Sequence, residues 1–352
     1  MSATPVRTRL TDVATQAAVS TATVSRVLNG KPGVSAQTRQ SVLAALDMLG
    51  YARPEKLRLR SAGLVGLIVP ELTNPVFSIF ARSIEAALAA RGYTPWLCTQ
   101  APGGTTEEEY VETLLEHGVD GIIFVSGLHA DTSASRERYD KLRAQDLPIV
   151  LINGYAEGID APSLSTDDVA AMDLAVRHLA SLGHRRIGLA IGPDRFVPAK
   201  RKVLGFTESL RRHLDITDPA EHIVSTLFTV EGGQAAALAL IATGHTAIVC
   251  GSDLMALGAI RAARGLGLEV PRDLSVVGFD DSPLMAFTDP PLTTVRQPVA
   301  AMGEAAVNAL VAEIDDKPGP RTELKFYPEL IVRASTDAAP AQQALTDPQE
   351  NT

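Results

Sequence analysis

Thr21, Ala22, Ser25 and Arg26, with Asn29 one turn further on, are small or polar residues that helical spacing places on one face. Val24, Val27 and Leu28 recur at i, i+3, i+4 and take the opposite face. A helix with such an outer face can enter a DNA major groove. Thr and Ala touch thymine methyls or base edges there, and Arg bonds guanine bidentately. Upstream, Leu10, Val13, Ala14 and Ala17 mark the apolar side of a preceding helix. Ala18 and Val19 make the corner, and the Ser20 hydroxyl is placed to N-cap the second helix. Thr11–Gly30 thus reads as a helix-turn-helix. A helical hairpin with a merely polar surface would show the same pattern, and charge separates the two readings. Residues 1–60 hold nine Lys and Arg against three Asp and Glu, whereas the whole chain carries a net charge of −9. A basic segment on an acidic protein is an electrostatic footprint for phosphate, extended past the helices by Arg53, Lys56, Arg58 and Arg60.

A second group of polar residues follows apolar runs. Leu64–Val69, Trp96–Cys98, Ile122–Val125, Ile149–Ile152, Ile187–Ile191, Ile223–Leu227, Ala247–Cys250 and Leu274–Phe279 read as strands, with helical stretches such as Val76–Ala90, Val169–Leu182 and Leu254–Arg264 between them. Strand–helix alternation builds parallel sheets covered on both faces. Eight units exceed one compact sheet, so the fold class is α/β with two doubly wound lobes. A ligand would lie at the carboxyl ends of their strands. Those ends carry Asn74, Ser126, Asn153, Asp194, Ser252-Asp253 and Asp280-Asp281. Turn chemistry alone accounts for single Gly, Asn and Asp residues there. The adjacent pair Asp280-Asp281 is a stronger signal, because two repelling carboxylates call for a donor, and sugar hydroxyls are donors. Phe77, Trp96 and Phe228 offer apolar faces for such a ligand, although each also suits a core.

Catalytic patterns do not emerge, and a non-enzymatic protein without a cofactor or metal is expected. GxSxG, GxxxxGK[ST], HExxH, CxxC and a GxGxxG after the first strand do not occur. Asp280-Asp281 cannot flank a glycosidic bond, since neighbours on one turn do not reach opposite sides of it.

The 352 residues suit a small head and a two-lobed body. Ser35 caps a third helix striped by Val42, Leu43, Leu46 and Leu49 and stopped by Gly50, giving a DNA-binding domain over 1–50. Residues 51–62 are a hinge or linker, basic and punctuated by Pro54, in which Leu57 or Leu59 could wedge into a minor groove. The ligand-binding body is expected over 63–335, and the Ala-, Pro- and Gln-rich residues 336–352 are expected to form a disordered tail. No run of 18 apolar residues exists and MSATPVRTRL lacks a signal core, so no membrane association and a cytoplasmic location are expected. Cys98 and Cys250 read as buried reduced thiols.

Taken together, LTDVATQAAVSTATVSRVLNG, the LGY that closes the third helix, GLVGLIVPELTNPVF, HLASLGHRRIGLAIG, SDLMALGAIRAARGLGLEVPRDLSVVGFDDSP and PPLTTVRQP resemble a LacI-type transcription regulator over residues 9–335. The resemblance implies a helix-turn-helix head, a hinge helix and a periplasmic-binding-protein-like body, acting as a homodimer on a palindromic double-stranded DNA operator. It further implies a repressor controlled by a small-molecule effector, usually a sugar, held between the lobes. TQAPGG, VSGLHADT and GPDRFVPAKRK resemble the maltose-utilisation branch, so maltose or a malto-oligosaccharide and control of carbohydrate utilisation are expected. By position, Thr21, Ala22 and Arg26 match base-reading residues; Ser20, Thr23, Asn29 and Thr38 match phosphate contacts; Leu57, ahead of Leu59, matches the minor-groove leucine. Asn74, Phe77, Ser126, Asn153, Phe228, Ser252 and Asp280 match effector contacts. A basic effector contact three residues before a helical Gly falls on Lys202, with Arg201 beside it.

The chain departs from the family pattern twice. Ala18 occupies a corner that commonly holds Gly, which costs about 1 kcal/mol if its backbone is left-handed. The linker is also about three residues short. The resemblance implies three crossings between lobes, near Asp160, Pro290 and Arg321. Lobe 1 would then be about 63–160 and 291–321, and lobe 2 about 161–290 and 322–335. Only Leu345 lies in the tail, so a dimer without a heptad-built tetramer is expected. Rival readings are a corepressor-type regulator with another ligand and a sugar-binding protein without a regulatory role; the basic head argues against the latter.

Overall fold

The computed structural model describes residues 10–28, 33–49, 62–100, 103–155 and 158–340. The chain divides at Ala62/Gly63 into two compact units. In the first, α1 (Leu10–Gln16), α2 (Thr21–Leu28) and α3 (Ala36–Met48) pack around Val13, Val24, Val27, Leu28, Val42 and Leu46. Ser20 and Ser35 cap α2 and α3: their Oγ atoms accept from Thr23 N and Thr38 N, each at 3.1 Å. Ala18 is left-handed, with φ 53°, as a sharp helix–helix corner demands, and its Cβ bears the cost glycine would avoid. Leu10, expected on the buried face of α1, is exposed.

The second unit alternates strand and helix. In chain order come β1 (Gly63–Val69), α4 (Pro75–Ala90), β2 (Tyr93–Thr99), α5 (Glu107–Glu116), β3 (Gly121–Val125), α6 (Glu137–Ala144), β4 (Ile149–Ile152) and β5 (Ser163–Thr166). They are followed by α7 (Asp168–Ser181), β6 (Ile187–Ile191), α8 (Val197–Leu214), β7 (Ile223–Ser225), α9 (Val230–Ala242), β8 (Ala247–Cys250), α10 (Asp253–Gly265) and β9 (Ser275–Asp280). The unit closes with β10 (Thr293–Arg296), α11 (Val299–Ile314), β11 (Glu323–Phe326) and β12 (Glu329–Ile331). Two six-stranded sheets result, ordered β11-β5-β4-β3-β1-β2 and β12-β10-β9-β8-β6-β7. The first is parallel throughout, and in the second only β12 runs antiparallel, against β10. Each sheet is buried on both faces, so its central strands are apolar without interruption. Along β1, Val65, Leu67 and Val69 join α4 and α11 in one layer, while Ile68 joins α5 and α6 in the other. The second lobe repeats this, with α7 and α8 on one face and α9 and α10 on the other. Gly205 of α8 lies so close to α7 that a Cβ there would meet the Val169 Cα at 2.6 Å, which sets the register of the pair.

The lobe boundaries fall later than expected. Ser163–Thr166 pairs with β4 and β11 in the first sheet, so the chain crosses after Thr166, not near Asp160. Thr293–Arg296 belongs to the second sheet and the next crossing is at Gln297-Pro298; the last lies between β11 and β12. These strands are three or four residues long and SLST is polar, so they lack the apolar run that marks the central strands. The body also continues past 335. The Thr336 hydroxyl meets His178 Nε2 at 2.9 Å, and Ala339 N donates to Leu182 O at 2.9 Å. Cys98 and Cys250 are free and buried. Among the described residues no helix is long and apolar enough to cross a membrane.

Candidate ligand cleft and nucleic-acid face

In the 63–352 unit the two lobes enclose a cavity of about 310 Å3 at the carboxyl ends of their strands, where parallel sheets leave unpaired backbone groups and turn residues. From the first lobe, Asn74 caps α4, its Oδ1 accepting from Val76 N at 3.3 Å, which leaves its amide N–H groups for other acceptors. Ser126 ends β3 and Asn153 ends β4. From the second lobe, Ser252 caps α10, accepting from Met255 N at 3.3 Å, and Asp280 is the last residue of β9. Ser126, Asn153 and Asp280 hold φ values of 47°, 59° and 123°, where non-glycine residues are strained. The walls are aromatic: Phe77, Phe196, Phe228 and Phe279.

Of the nine residues expected at the effector, Asn74, Phe77, Ser126, Asn153, Lys202, Phe228, Ser252 and Asp280 line this cavity. Arg201 does not. It pairs with both carboxylate oxygens of Glu323 in the other lobe, because successive helical residues point about 100° apart and only Lys202 faces inward. Trp96 also lies elsewhere, edge-on to His117 at 4.8 Å. Among the lining residues that escaped the sequence reading are Asp168, Phe196 and Gln297. Gln297 ties the lobes together. Its Nε2 donates to Asp280 Oδ1 at 2.7 Å, while its Oε1 accepts from Asn153 Nδ2 at 3.2 Å and from Thr166 Oγ1 at 2.8 Å.

Among the charged lining residues, Lys202 pairs with Asp168, whereas Asp280 and the half-buried Glu71 make no ion pair among the described residues. The Lys202 ammonium bonds Asp168 Oδ1 and lies 3.8 Å from the centre of the Phe279 ring. Burial lifts the Asp168 pKa, and the Lys202 charge opposes that rise. Asp280 is 5% exposed, and burial raises its pKa well above the usual carboxylate range, with Asp253 behind it adding repulsion. Asp253 is itself pushed up to about 6 by burial, although Thr294 Oγ1 and Ser282 N donate to it at 2.6 and 2.7 Å. The second Asp280 oxygen is buried without a close hydrogen-bond partner among the described residues, and the Asn74 amide is the one further donor near this carboxyl group. A buried oxygen left that way costs stability unless a ligand completes it. The cavity therefore offers aromatic faces, amide and hydroxyl groups, a buried carboxyl with an open oxygen, a second carboxylate from Glu71, and no uncompensated cation among the described residues. That chemistry suits a neutral, hydroxyl-rich molecule and disfavours an anion.

Phe228 reaches its place only because Gly192 has no side chain: a Cβ there would stand 2.0 Å from the ring. Gly192→Ala should displace the ring, costing about 1 kcal/mol of stability as overpacking and weakening ligand binding. Calorimetry on a folded variant checks this; unchanged ligand affinity would remove Phe228 from the binding wall.

In the 1–62 unit, Thr21, Ala22, Ser25 and Arg26 are exposed along α2 while Val24, Val27 and Leu28 are buried. Ser20, Thr23, Arg26, Ser35 and Thr38 border one polar concavity, into which the amino ends of α2 and α3 both open. Ser20 Oγ lies 2.9 Å from Thr23 Oγ1 and Ser35 Oγ 2.8 Å from Thr38 Oγ1, so each cap adds a hydroxyl to the free backbone N–H groups. Paired helix amino ends with hydroxyls and a guanidinium suit a phosphate oxygen. Asn29 and Leu57 lie outside the described residues.

Residues 9–54 match the family described as "Bacterial regulatory proteins, lacI family", and residues 176–336 match a "Periplasmic binding protein-like domain". The chain is 62% identical over 339 residues to the "HTH-type transcriptional regulator MalR" of Streptomyces coelicolor, covering 96% of this chain and 98% of that protein. It is 34% identical to the "HTH-type transcriptional repressor CytR" of Escherichia coli K12, over 94% and 96% of the two chains. Among solved structures, a "transcriptional regulator CelR-cellobiose complex" superposes with a TM-score of 0.69 at 30% identity, covering 94% of this chain and all of that one. The "lac repressor dimer bound to operator and the anti-inducer ONPF" superposes with a TM-score of 0.68 at 27% identity, covering 95% and 100%.

Proposed function

The chain belongs to the lacI family of bacterial regulatory proteins, and from that premise we propose that it is a cytoplasmic repressor released or engaged by maltose or a malto-oligosaccharide. The head binds DNA and the body senses the effector; no catalytic step is assigned to either. One observation supports a neutral sugar above all. The cavity's cation is neutralised by Asp168, whereas the buried Asp280 keeps an oxygen open beside aromatic walls. A carboxyl that accepts sugar hydroxyls while rings cover the apolar sugar faces is selective against phosphorylated or carboxylated ligands. The likeness to MalR and to the cellobiose complex of CelR points the same way. Titration of operator with and without maltose, maltotriose, cellobiose and a sugar phosphate tests it. An operator affinity that answers to the sugar phosphate but to none of the neutral sugars would overturn the reading.

The working form is a homodimer on one palindromic operator, as the lac repressor dimer–operator complex suggests. Residues 336–352 contain one leucine, Leu345, so no leucine heptad repeat is read there. Sedimentation should give a dimer, and footprinting one pair of half-sites about one helical turn apart. A tetramer that loops two operators would contradict this.

A further inference from the structure

The opening of α8 and the loop before it alternate two kinds of residue. Phe196 and Lys202 line the cavity. Arg195, Lys200 and Arg201, interleaved with them, reach across to the first lobe. Arg195 Nε donates to Asp131 Oδ2 at 2.9 Å, and Arg195 O accepts from both Thr132 N and Thr132 Oγ1 at 2.8 Å. Lys200 Nζ donates to Thr132 Oγ1 at 3.3 Å, and Asp131 and Phe196 form an antiparallel bridge. On the other flank Arg201 makes its two-pronged pair with Glu323 of β11. Both latches start from rigid seats. Glu323 lies in a paired strand. The loop bearing Asp131 is held from beneath: Leu128 N donates to the buried Glu107 at 2.9 Å, Tyr139 OH donates to the same carboxylate at 2.6 Å, and His129 N donates to Tyr139 at 2.8 Å.

We propose that Arg201–Glu323 and Arg195–Asp131/Thr132 are lobe latches that position Phe196 and Lys202 for the effector, so that they set its affinity without touching it. This rests on reading the cavity as the effector site. A helix held at both flanks cannot turn or slide to suit a ligand, so the wall it supplies is in place only while the lobes are shut. Losing a latch lowers the population of the binding-competent form, and apparent affinity falls in proportion.

Charge reversal separates this role from simple packing. In the full-length dimer, spin labels on cysteines replacing Glu116 of α5 and Ala242 of α9 report the interlobe distance, with labelled chain diluted in unlabelled. Maltose is the calorimetric probe. Arg201→Glu and Glu323→Arg should each lengthen or broaden the ligand-free distance and weaken maltose binding about tenfold. The double variant Arg201→Glu/Glu323→Arg should restore both, and Asp131→Ala should act in the same direction as the single reversals. Thermal melting shows which variants are folded. Unmoved distances in the folded single variants, or a folded double variant that restores neither readout, would overturn the latch. If the wild-type chain does not bind maltose, the effector assignment fails by itself, and the ligand-free distances still decide the latch.

Discussion

Asp280→Asn yields a regulator that binds its operator as before, has lost its answer to the effector, and melts higher. The first effect follows from the unpaired oxygen. In a desolvated cleft, a carboxyl completing two sugar hydroxyls contributes about 2–3 kcal/mol, so affinity should fall about 30- to 150-fold. Operator binding without effector is retained because Arg26 and the capping hydroxyls all lie in the unit before Gly63. The gain in stability follows from the raised pKa. A folded-state carboxyl that holds its proton more tightly than the unfolded one contributes most at low pH. That contribution is lost as pH rises from the ordinary carboxylate range through the folded value. Near neutrality the wild type must keep a poorly solvated carboxyl next to Asp253, whose own value is about 6. The amide of Asn can still accept from Gln297 and carries no charge, so the loss of stability with rising pH should flatten. Calorimetry, operator titration and melting curves from pH 4 to 8 check the three parts. Undiminished sugar binding would take Asp280 out of the site, and an unchanged pH profile would show that its burial costs nothing.

Legibility tracked how far each feature depends on local sequence. The central strands were readable because burial on both faces demands apolar runs, and the polar residues that end them mark the cleft by turn chemistry alone. A corner between two closely spaced helices calls for a left-handed residue, and Ala18 is left-handed. What escaped depends on distant partners. Ser163–Thr166 is a strand because β4 and β11 flank it, and nothing in SLST itself says so. Gln297 matters because the crossing after β10 carries it between Asn153 and Asp280. Asp168 opens a helix like many acidic N-terminal residues, and only the fold sets it against Lys202. Whether Arg201 or Lys202 faced the cavity was a question of helical phase. Sequence register named the pair, and the packing of Gly205 on Val169 chose between them.

Arg26→Ala separates reading from clamping in the head. The side chain stands exposed on α2 beyond Thr21 and Ala22, and it also borders the concavity formed by Ser20, Thr23, Ser35 and Thr38. A guanidinium bonding guanine N7 and O6 contributes about 1–3 kcal/mol to discrimination, and its loss should weaken operator binding about 5- to 150-fold. Binding to random DNA should fall little, because the hydroxyls and helix amino ends that suit phosphate remain. Specificity should relax at the single base pair in each half-site that the arginine reads, while the salt dependence of operator binding stays nearly as steep. A phosphate clamp behaves otherwise: affinity drops equally on operator and random DNA, and the salt slope shrinks by about one. Ser20→Ala and Thr38→Ala supply the comparison: both should lose affinity equally on operator and random DNA, while their salt slopes stay unchanged because a hydroxyl carries no charge. If Arg26→Ala matches them in its loss on random DNA and also lowers the salt slope by about one, base reading on α2 falls to Thr21 and Ala22, and Arg26 joins the phosphate contacts.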